Sequence, residues 1–403
     1  MSALPPFMVD SLGIKHILCN LHKQLLGFGV DHKIHSYKTI NSLHRVMCSC
    51  LALLLLVLSS PAFANTDYSP IENDQSAIVA YSYFQIDDDA FPDMSLNFDT
   101  FQQHIETIKN ENFKVISLKE LKGYTKPKSQ SAPSIAITFE TGHKSILNKA
   151  VPLLLKEKLP FTIFISPAEI DQGQPYVIPW SELKKLNRNP LVTIGIHSAT
   201  YKTMQDYKSR DDINHAVISA ITRYKEVFNH APALYAYPYG DHDTLLADVL
   251  KQNKIEFGFG LQSGVIHGAS PQFYLPRFTM TDNFGSNQRF IDTAYNLPLP
   301  YFDMIPQDTV LPDAPTSLSF SVPSILHDKL GSLQCFHSGI GKISTDILGD
   351  ERVHIALPEN TTSSGRLRVN CTINAGYDEV AERQRWRWHG ILHRINIGSA
   401  LQP

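Results

Sequence analysis

The 403-residue chain has no excess of basic charge. Its 36 Lys and Arg stand against 39 Asp and Glu, a formal net charge of −3 with the 17 histidines neutral. Nucleic-acid binding rests on a basic face that neutralises phosphates, so no nucleic acid is expected as a partner. Also missing are a Gly-x-Ser-x-Gly elbow, a glycine-rich nucleotide loop and a cysteine in a nucleophile setting. Their absence sets aside elbow-type serine hydrolases, nucleotide-dependent enzymes and thiol hydrolases. No internal repeat or low-complexity tract is present. Cysteine is scarce: of five, Cys19, Cys48 and Cys50 fall in the first 64 residues, leaving Cys335 and Cys371. Their even number suggests one disulfide if the protein is exported, and two reduced core thiols otherwise.

Long apolar runs are also few. Leu51–Leu58, LALLLLVL, is too short to cross a bilayer comfortably. It is followed by Ser59-Ser-Pro-Ala-Phe-Ala64, which ends in an Ala-x-Ala cleavage pattern. Residues 1–64 are therefore expected to be a leader with a secretory signal peptide, with the mature chain starting near Asn65 and keeping no transmembrane anchor. Lys33, Lys38 and Arg45 supply positive charge upstream. The stretch before Val46 is longer than an ordinary signal needs. It fits either a start codon placed too far upstream or a long genuine leader.

What remains is enough for one large domain and a small one: 43% of the residues are hydrophobic. Apolar runs with strand character lie at Ala77–Tyr83, Val115–Ile116, Ser134–Phe139, Phe161–Ile165, Val192–Ile196, Leu234–Ala236, Phe257–Gly260 and Tyr274–Leu275. Helical patterns separate them. Asn97 caps one that carries Phe101, Ile105 and Ile108 on one face. Ser117-Leu-Lys-Glu120 has capping-box spacing. Others run over Ser145–Lys158 (interrupted by Pro152), Ser181–Leu186, Asp211–Phe228 and Thr244–Gln252. Strands alternating with helices imply a parallel sheet with crossover connections. Residues 65–300 are expected to form this domain and 301–316 a Pro-rich linker. In 317–403, short strands at Ser317–Val322, Ser332–Phe336, Arg352–Leu357 and Arg366–Ile373, with alternation at Trp386–His393, suggest a small β-sandwich.

Two strand ends carry the chemistry, Ile135-Ala-Ile-Thr-Phe-Glu-Thr-Gly142 and Ile194-Gly-Ile-His-Ser-Ala-Thr-Tyr201. Together with Ala236-Tyr-Pro-Tyr-Gly240 and Leu275-Pro-Arg277, in this order, they make Ile78 to about Asp282 resemble the polysaccharide deacetylase (NodB-homology) domain, carbohydrate esterase family 4. The branch it most resembles removes acetyl groups from exported poly-N-acetylglucosamine. The resemblance implies an α/β fold, a distorted (β/α)7-type barrel with its site at the strand C-termini. It also implies an N-acetylated polysaccharide as partner and a periplasmic or secreted location at a bacterial envelope. The family's first motif is Thr-Phe-Asp-Asp-Gly, the general base followed by a metal ligand. Its second is His-Ser/Thr-x-x-His, and both histidines bind the metal.

This chain departs from that pattern at three positions. Glu140 stands at the base, Thr141 at the metal aspartate and Tyr201 at the second metal histidine, so only His197 matches a ligand. A catalytic zinc-type site keeps about three protein ligands, and a neutral hydroxyl and a phenol are poor replacements. Without the ion, water keeps its ordinary high pKa and is not brought down to about 7. The expectation is a glycan-binding pseudoenzyme with no resident cofactor. The alternative is an active metal-dependent N-deacetylase holding zinc or another divalent metal through Glu140, His143 and His197. A third reading keeps the barrel only as an envelope interaction scaffold.

Glu140 is either the base or a structural partner of Arg277. His143 is a ligand only in the rearranged set and is otherwise a rim histidine. Tyr237, Pro238, Tyr239 and Gly240, with Tyr201, are the candidate sugar-binding residues, and at least one tyrosine can instead pack in the rim. Asp87-Asp-Asp89 could bind a cation or be a solvated loop. His267 lacks the context of a general acid. Trp180 either faces the groove or packs in the core, and Trp386 and Trp388 either bind sugar or pack.

Overall fold

The computed structural model describes residues 70–88, 93–124, 133–359 and 365–396. The expected leader, Asp89 and the whole of 1–69 lie outside them. Among the described residues, no helix is long and apolar enough to cross a membrane.

Seven parallel strands curl into a distorted barrel: β1 (Ile78–Tyr83), β2 (Ser134–Phe139), β3 (Phe161–Ile165), β4 (Val192–Ile196), β5 (Leu234–Ala236), β6 (Phe257–Phe259) and β7 (Phe278–Met280). Their spatial order is β7-β1-β2-β3-β4-β5-β6. The short strand Lys114–Val115 pairs at the start of β2. The gap between β6 and β7 is spanned by two backbone hydrogen bonds between Ile78 and Ile266, and by a bridge from Phe259 to Leu275. Tyr274–Leu275 is thus one bridge and not the expected strand. Pro276 follows it, and the last strand starts only at Phe278.

Helices α1 (Phe98–Asn110), α2 (Ala150–Lys156), α3 (Pro167–Asp171), α4 (Trp180–Leu186), α5 (Arg210–Phe228), α6 (Thr244–Gln252) and α7 (Asn287–Ala294) accompany the strands. Asn97 caps α1, its side chain accepting from Asp99 N–H at 2.9 Å. The pattern Ser145–Lys158 breaks into a 3-10 turn, Lys144–Leu147, and α2. Pro152 then falls in the first turn of α2, where its missing N–H costs nothing.

The strands serve two cores, because successive side chains face opposite ways. Tyr81, Tyr83, Ile137, Phe139, Ile163, Ile165, Ile194 and Ile196 join the core under the helices. Ile78, Ala80, Ala136, Phe164, Ala236 and Phe259 fill the barrel itself. Each fully buried Ile or Phe contributes roughly 1.5–3 kcal/mol.

The C-terminal region is two sheets around a common core. One is β8 (Leu297–Pro298), β17 (Arg383–Ile395), β16 (Arg366–Asp378), β12 (Gln334–His337) and β13 (Gly341–Ile343), in that order, with β10 (Val310–Leu311) also beside β17. The other is β9 (Phe302–Ile305), β11 (Ser317–Ser321), β15 (Arg352–Ala356) and β14 (Thr345–Leu348). Leu318, Phe320, Val353 and Ile355 of the second meet Leu367, Val369, Ile373 and Ile391 of the first. Cys335 and Cys371 form a disulfide between directly paired residues of β12 and β16, so it joins neighbours within one sheet. The stretch expected as a linker, 301–316, contributes β9 and β10 to these sheets. At the other end of the described chain, Asp74 accepts a bidentate pair from the fully buried Arg387 of β17, at 2.6 and 3.0 Å.

Candidate functional site: a filled barrel mouth

Strand alternation decides which residues meet at the mouth. Ala136 faces the barrel interior, so Thr138 and Glu140, at two-residue steps, do too. On β4, Gly195 and His197 share one face in the same way. Gly195 is there because Phe164 occupies the space: an added Cβ would lie 2.5 Å from its ring. Phe164 then supports His197 and Phe259, with ring centroids at 5.8 and 5.7 Å.

Arg277, just ahead of β7, enters this group and is fully buried. Its Nε donates to Gly260 O at 2.9 Å and its Nη1 to Thr138 Oγ1 at 3.3 Å. Nη1 also forms a close ion pair with Glu140 Oε1. The guanidinium lies 5.2 Å from the Phe164 ring centroid and 5.8 Å from that of Phe259. Two buried charges held this closely are tolerable because each offsets the other's desolvation.

His197 is fully buried. Its Nδ1 is 2.6 Å from the Ala236 carbonyl, which assigns the ring proton to Nδ1. Nε2 is left as an acceptor, 3.4 Å from Thr141 N–H and 3.5 Å from Glu140 Oε2. Burial lowers the imidazole pKa despite the opposing charge of Glu140. Thr141 itself sits in the left-handed region, φ 62°, an unusual place for a β-branched residue, and Gly142 follows at φ 56°.

Tyr201 stands edge-on to His197, centroids 4.8 Å apart. Its hydroxyl accepts from Tyr239 N–H at 3.2 Å. Burial, and then the charge of Glu140, raise this phenol well above its ordinary value of 10.0. It is therefore a neutral phenol already engaged with backbone.

These donors do not fit a divalent cation. His197 offers one lone pair. Glu140 offers Oε2, which makes no hydrogen bond, but its charge is matched by Arg277. Among the described residues no group of three or more His, Cys, Asp or Glu is placed to hold a metal ion. The rearranged set also fails to assemble. His143 turns its Nδ1 to Ser145 Oγ at 3.0 Å and its Nε2 toward Asp88 Oδ2 at 3.5 Å, and stacks on Tyr176. It caps the following 3-10 turn and is not brought to His197.

Tyr237 is corrected by the same alternation. Ala236 faces the barrel, so Tyr237 faces the helices, where it is fully buried against Tyr235 and His242. It cannot stack on a sugar. Pro238 and Gly240 are buried in the turn that follows, and only Tyr239 of the four reaches the surface. Gly240 has φ 78° and lies where a Cβ would meet Leu261 N at 2.8 Å, so the turn requires glycine. The other sequence candidates lie elsewhere. Asp87 accepts from Phe98 N–H and pairs with Lys149. His267 contacts Asn73. Trp180 bonds Asp171 and packs on Phe228. Trp388 packs on Phe278 of the barrel and donates to Ser263 Oγ at 2.8 Å, whereas Trp386 is exposed.

The sequence reading did not foresee what covers the mouth. Strands β16 and β17 lie across it. Arg366 donates to Tyr239 O at 2.9 Å and Arg368 to Leu261 O at 3.2 Å. Arg394 pairs with Asp241 at 2.7 Å and lies over the Tyr239 ring at 5.3 Å. Leu392 closes an apolar group with Phe84 and Leu261, with Met94 and Tyr201 packed beside it. The available signal was Arg366 and Arg368, two apart on a strand and hence on one face.

The barrel and its strand-end residues define a class. Residues 127–258 match the family model for polysaccharide deacetylase. The chain is 24% identical over 216 residues to the poly-beta-1,6-N-acetyl-D-glucosamine N-deacetylase of Staphylococcus aureus strain MRSA252, covering 50% of this chain and 73% of that protein. The enzyme of the same name from Escherichia coli K12 is 17% identical over 287 residues, covering 58% of this chain and 42% of that protein. Among solved structures, IcaB from Ammonifex degensii aligns with a TM-score of 0.48 at 18% identity, covering 54% of this chain and 97% of that one.

Proposed function

We propose that this chain is an exported, glycan-binding member of the deacetylase family in which hydrolysis has been lost. The observation that carries the reading is the Glu140–Arg277–His197–Tyr201 cluster. Its base position is paired with a guanidinium, and two of its three metal positions hold a hydroxyl and a neutral phenol. Hydrolysing an acetamide this way needs an activated water and a polarised carbonyl, and the cluster supplies neither. The burial of Glu140, Arg277 and His197 supports the same reading, because a substrate carbonyl has no approach to them. N-acetylated polysaccharide, the substrate class named for the relatives, is the ligand we assign. Tyr201 and Tyr239, with ring centroids 4.8 Å apart at the rim, offer it an aromatic surface. The leader pattern and the Cys335–Cys371 disulfide support export.

The test pairs acetate release with retention on immobilised poly-N-acetylglucosamine. We expect retention without acetate release, and weaker retention for Tyr239→Ala. Acetate release by the unaltered protein in the presence of zinc would overturn the loss of hydrolysis. Undiminished retention of Tyr239→Ala would overturn the rim as the binding surface.

A further inference from the structure

A large cleft lies away from the barrel mouth. It lies between the barrel and the C-terminal sheets, has a volume of about 980 Å³, and is lined by His242 and Tyr274 from the barrel side and Tyr301, Phe302, His389 and His393 from the other. A cleft of this size between two packed units is where small ligands most often bind.

Three features of its lining are unexplained by packing alone. The first is aromatic surface left open: Phe302, on edge strand β9, is 42% exposed. The second is stacked rings beneath it, Tyr301 on His389 at 3.9 Å and His242 on Tyr274 at 4.5 Å between centroids. The third is unmet hydrogen-bonding capacity. His242 and His389 are 8% and 6% exposed, yet His242 Nδ1 and His389 Nε2 make no hydrogen bond. Buried polar atoms are usually paired, and water or a ligand hydroxyl entering the cleft would serve both.

The charges near the cleft do not select an ion. Asp248 and Asp303 are exposed at its rim, and Arg352 is spent on Asp303 O, Ser319 Oγ and Ser321 Oγ. Burial holds the imidazoles neutral, pushing His242 and His393 down to about 4 and His389 to about 3. A neutral imidazole is one donor and one acceptor. Flat apolar rings beside neutral donor–acceptor groups match a pyranose, which has an apolar C–H face and a hydroxyl edge.

We propose that this cleft is a second carbohydrate site, taking a short run of neutral pyranose rings on Phe302 and Tyr301 with hydroxyls on His242 and His389. It is separate from the barrel mouth and does not depend on binding there.

The test is calorimetry of the full-length chain with a hexamer of β-1,6-linked N-acetylglucosamine and a hexamer of β-1,4-linked glucose. The background is Tyr239→Ala, which disables the proposed rim site. We expect at least one hexamer to bind, Phe302→Ala to weaken it about tenfold, and His242→Phe to weaken it to a similar extent. Phe302 is exposed, so its variant tests binding without threatening the fold. Failure of both hexamers to bind in the Tyr239→Ala background, or binding unchanged by Phe302→Ala, would overturn the proposal.

Discussion

The barrel mouth and the interdomain cleft invert each other. At the mouth, where strand ends place chemistry in barrels of this type, most polar groups are answered from within the chain. Glu140 has Arg277, His197 has Ala236 O, Tyr201 has Tyr239 N–H, and β16 and β17 close the top. In the cleft, aromatic rings stand open and imidazole nitrogens lack partners. Glu140 Oε2 and Arg277 Nη2 at the mouth also lack a hydrogen bond, but there the two charges are paired with each other. Tyr201 fastens the Tyr239 turn, and Arg277 pairs with Glu140 and fills the barrel.

The largest expected effect comes from breaking the mouth's ion pair. Arg277→Met should cost about 3–5 kcal/mol, because it strands the Glu140 charge in a dry interior. Adding Glu140→Gln to it should recover part of that loss. Urea unfolding of the two single variants and the pair checks this, and a loss in the double variant equal to the sum of the two single losses would mean the pair is not coupled. The buried histidines, those of the cleft among them, should show themselves through pH. His242, His389 and His393 titrate near their ordinary 6.5 when unfolded but are held down to about 4, 3 and 4 when folded. Below 6.5 the unfolded chain therefore binds more protons than the folded one. Stability is then complete above that pH and falls toward pH 4, by up to about 1.4 kcal/mol per pH unit for each imidazole. Asp308 and Asp243 oppose the shift at His242, and His267 reinforces it at His389. A urea midpoint that is flat between pH 7 and pH 5 would contradict this account of the cleft. A smaller effect belongs to Gly195→Ala. Its methyl group must displace the Phe164 ring, costing about 1–3 kcal/mol, read from thermal unfolding.

Much of the fold was legible because it rests on local periodicity. The apolar runs at 134–139, 161–165 and 192–196 are all strands, and the capped pattern after Asn97 is α1. The site was legible in composition and less so in orientation. Glu140, Arg277, His197 and Tyr201 come together, whereas Tyr237 and His143 do not. Tyr237 was readable in hindsight from alternation, since Ala236 must face the barrel. The orientation of His143 was not, because it depends on Ser145 and Asp88 in loops with no periodic pattern. The cleft left no sequence signal: its walls, His242 and His389, are 147 residues apart and meet only through the packing of β17 on the barrel. Strand β14, with exposed Ile347 and Leu348, also escaped the reading, because its apolar residues do not alternate.

The central claim is that Thr141 and Tyr201 have removed the metal site, and metal content tests it most directly. Purified protein should be equilibrated with zinc, passed through a desalting column and measured by mass spectrometry, alongside the Thr141→Asp, Tyr201→His pair. The account predicts a substoichiometric trace in the parent and close to one equivalent in the pair, where a carboxylate and a second imidazole join His197. Aspartate also suits the left-handed backbone at position 141 better than threonine does. A parent that retains one equivalent of zinc, and loses it on His197→Ala, would contradict the account.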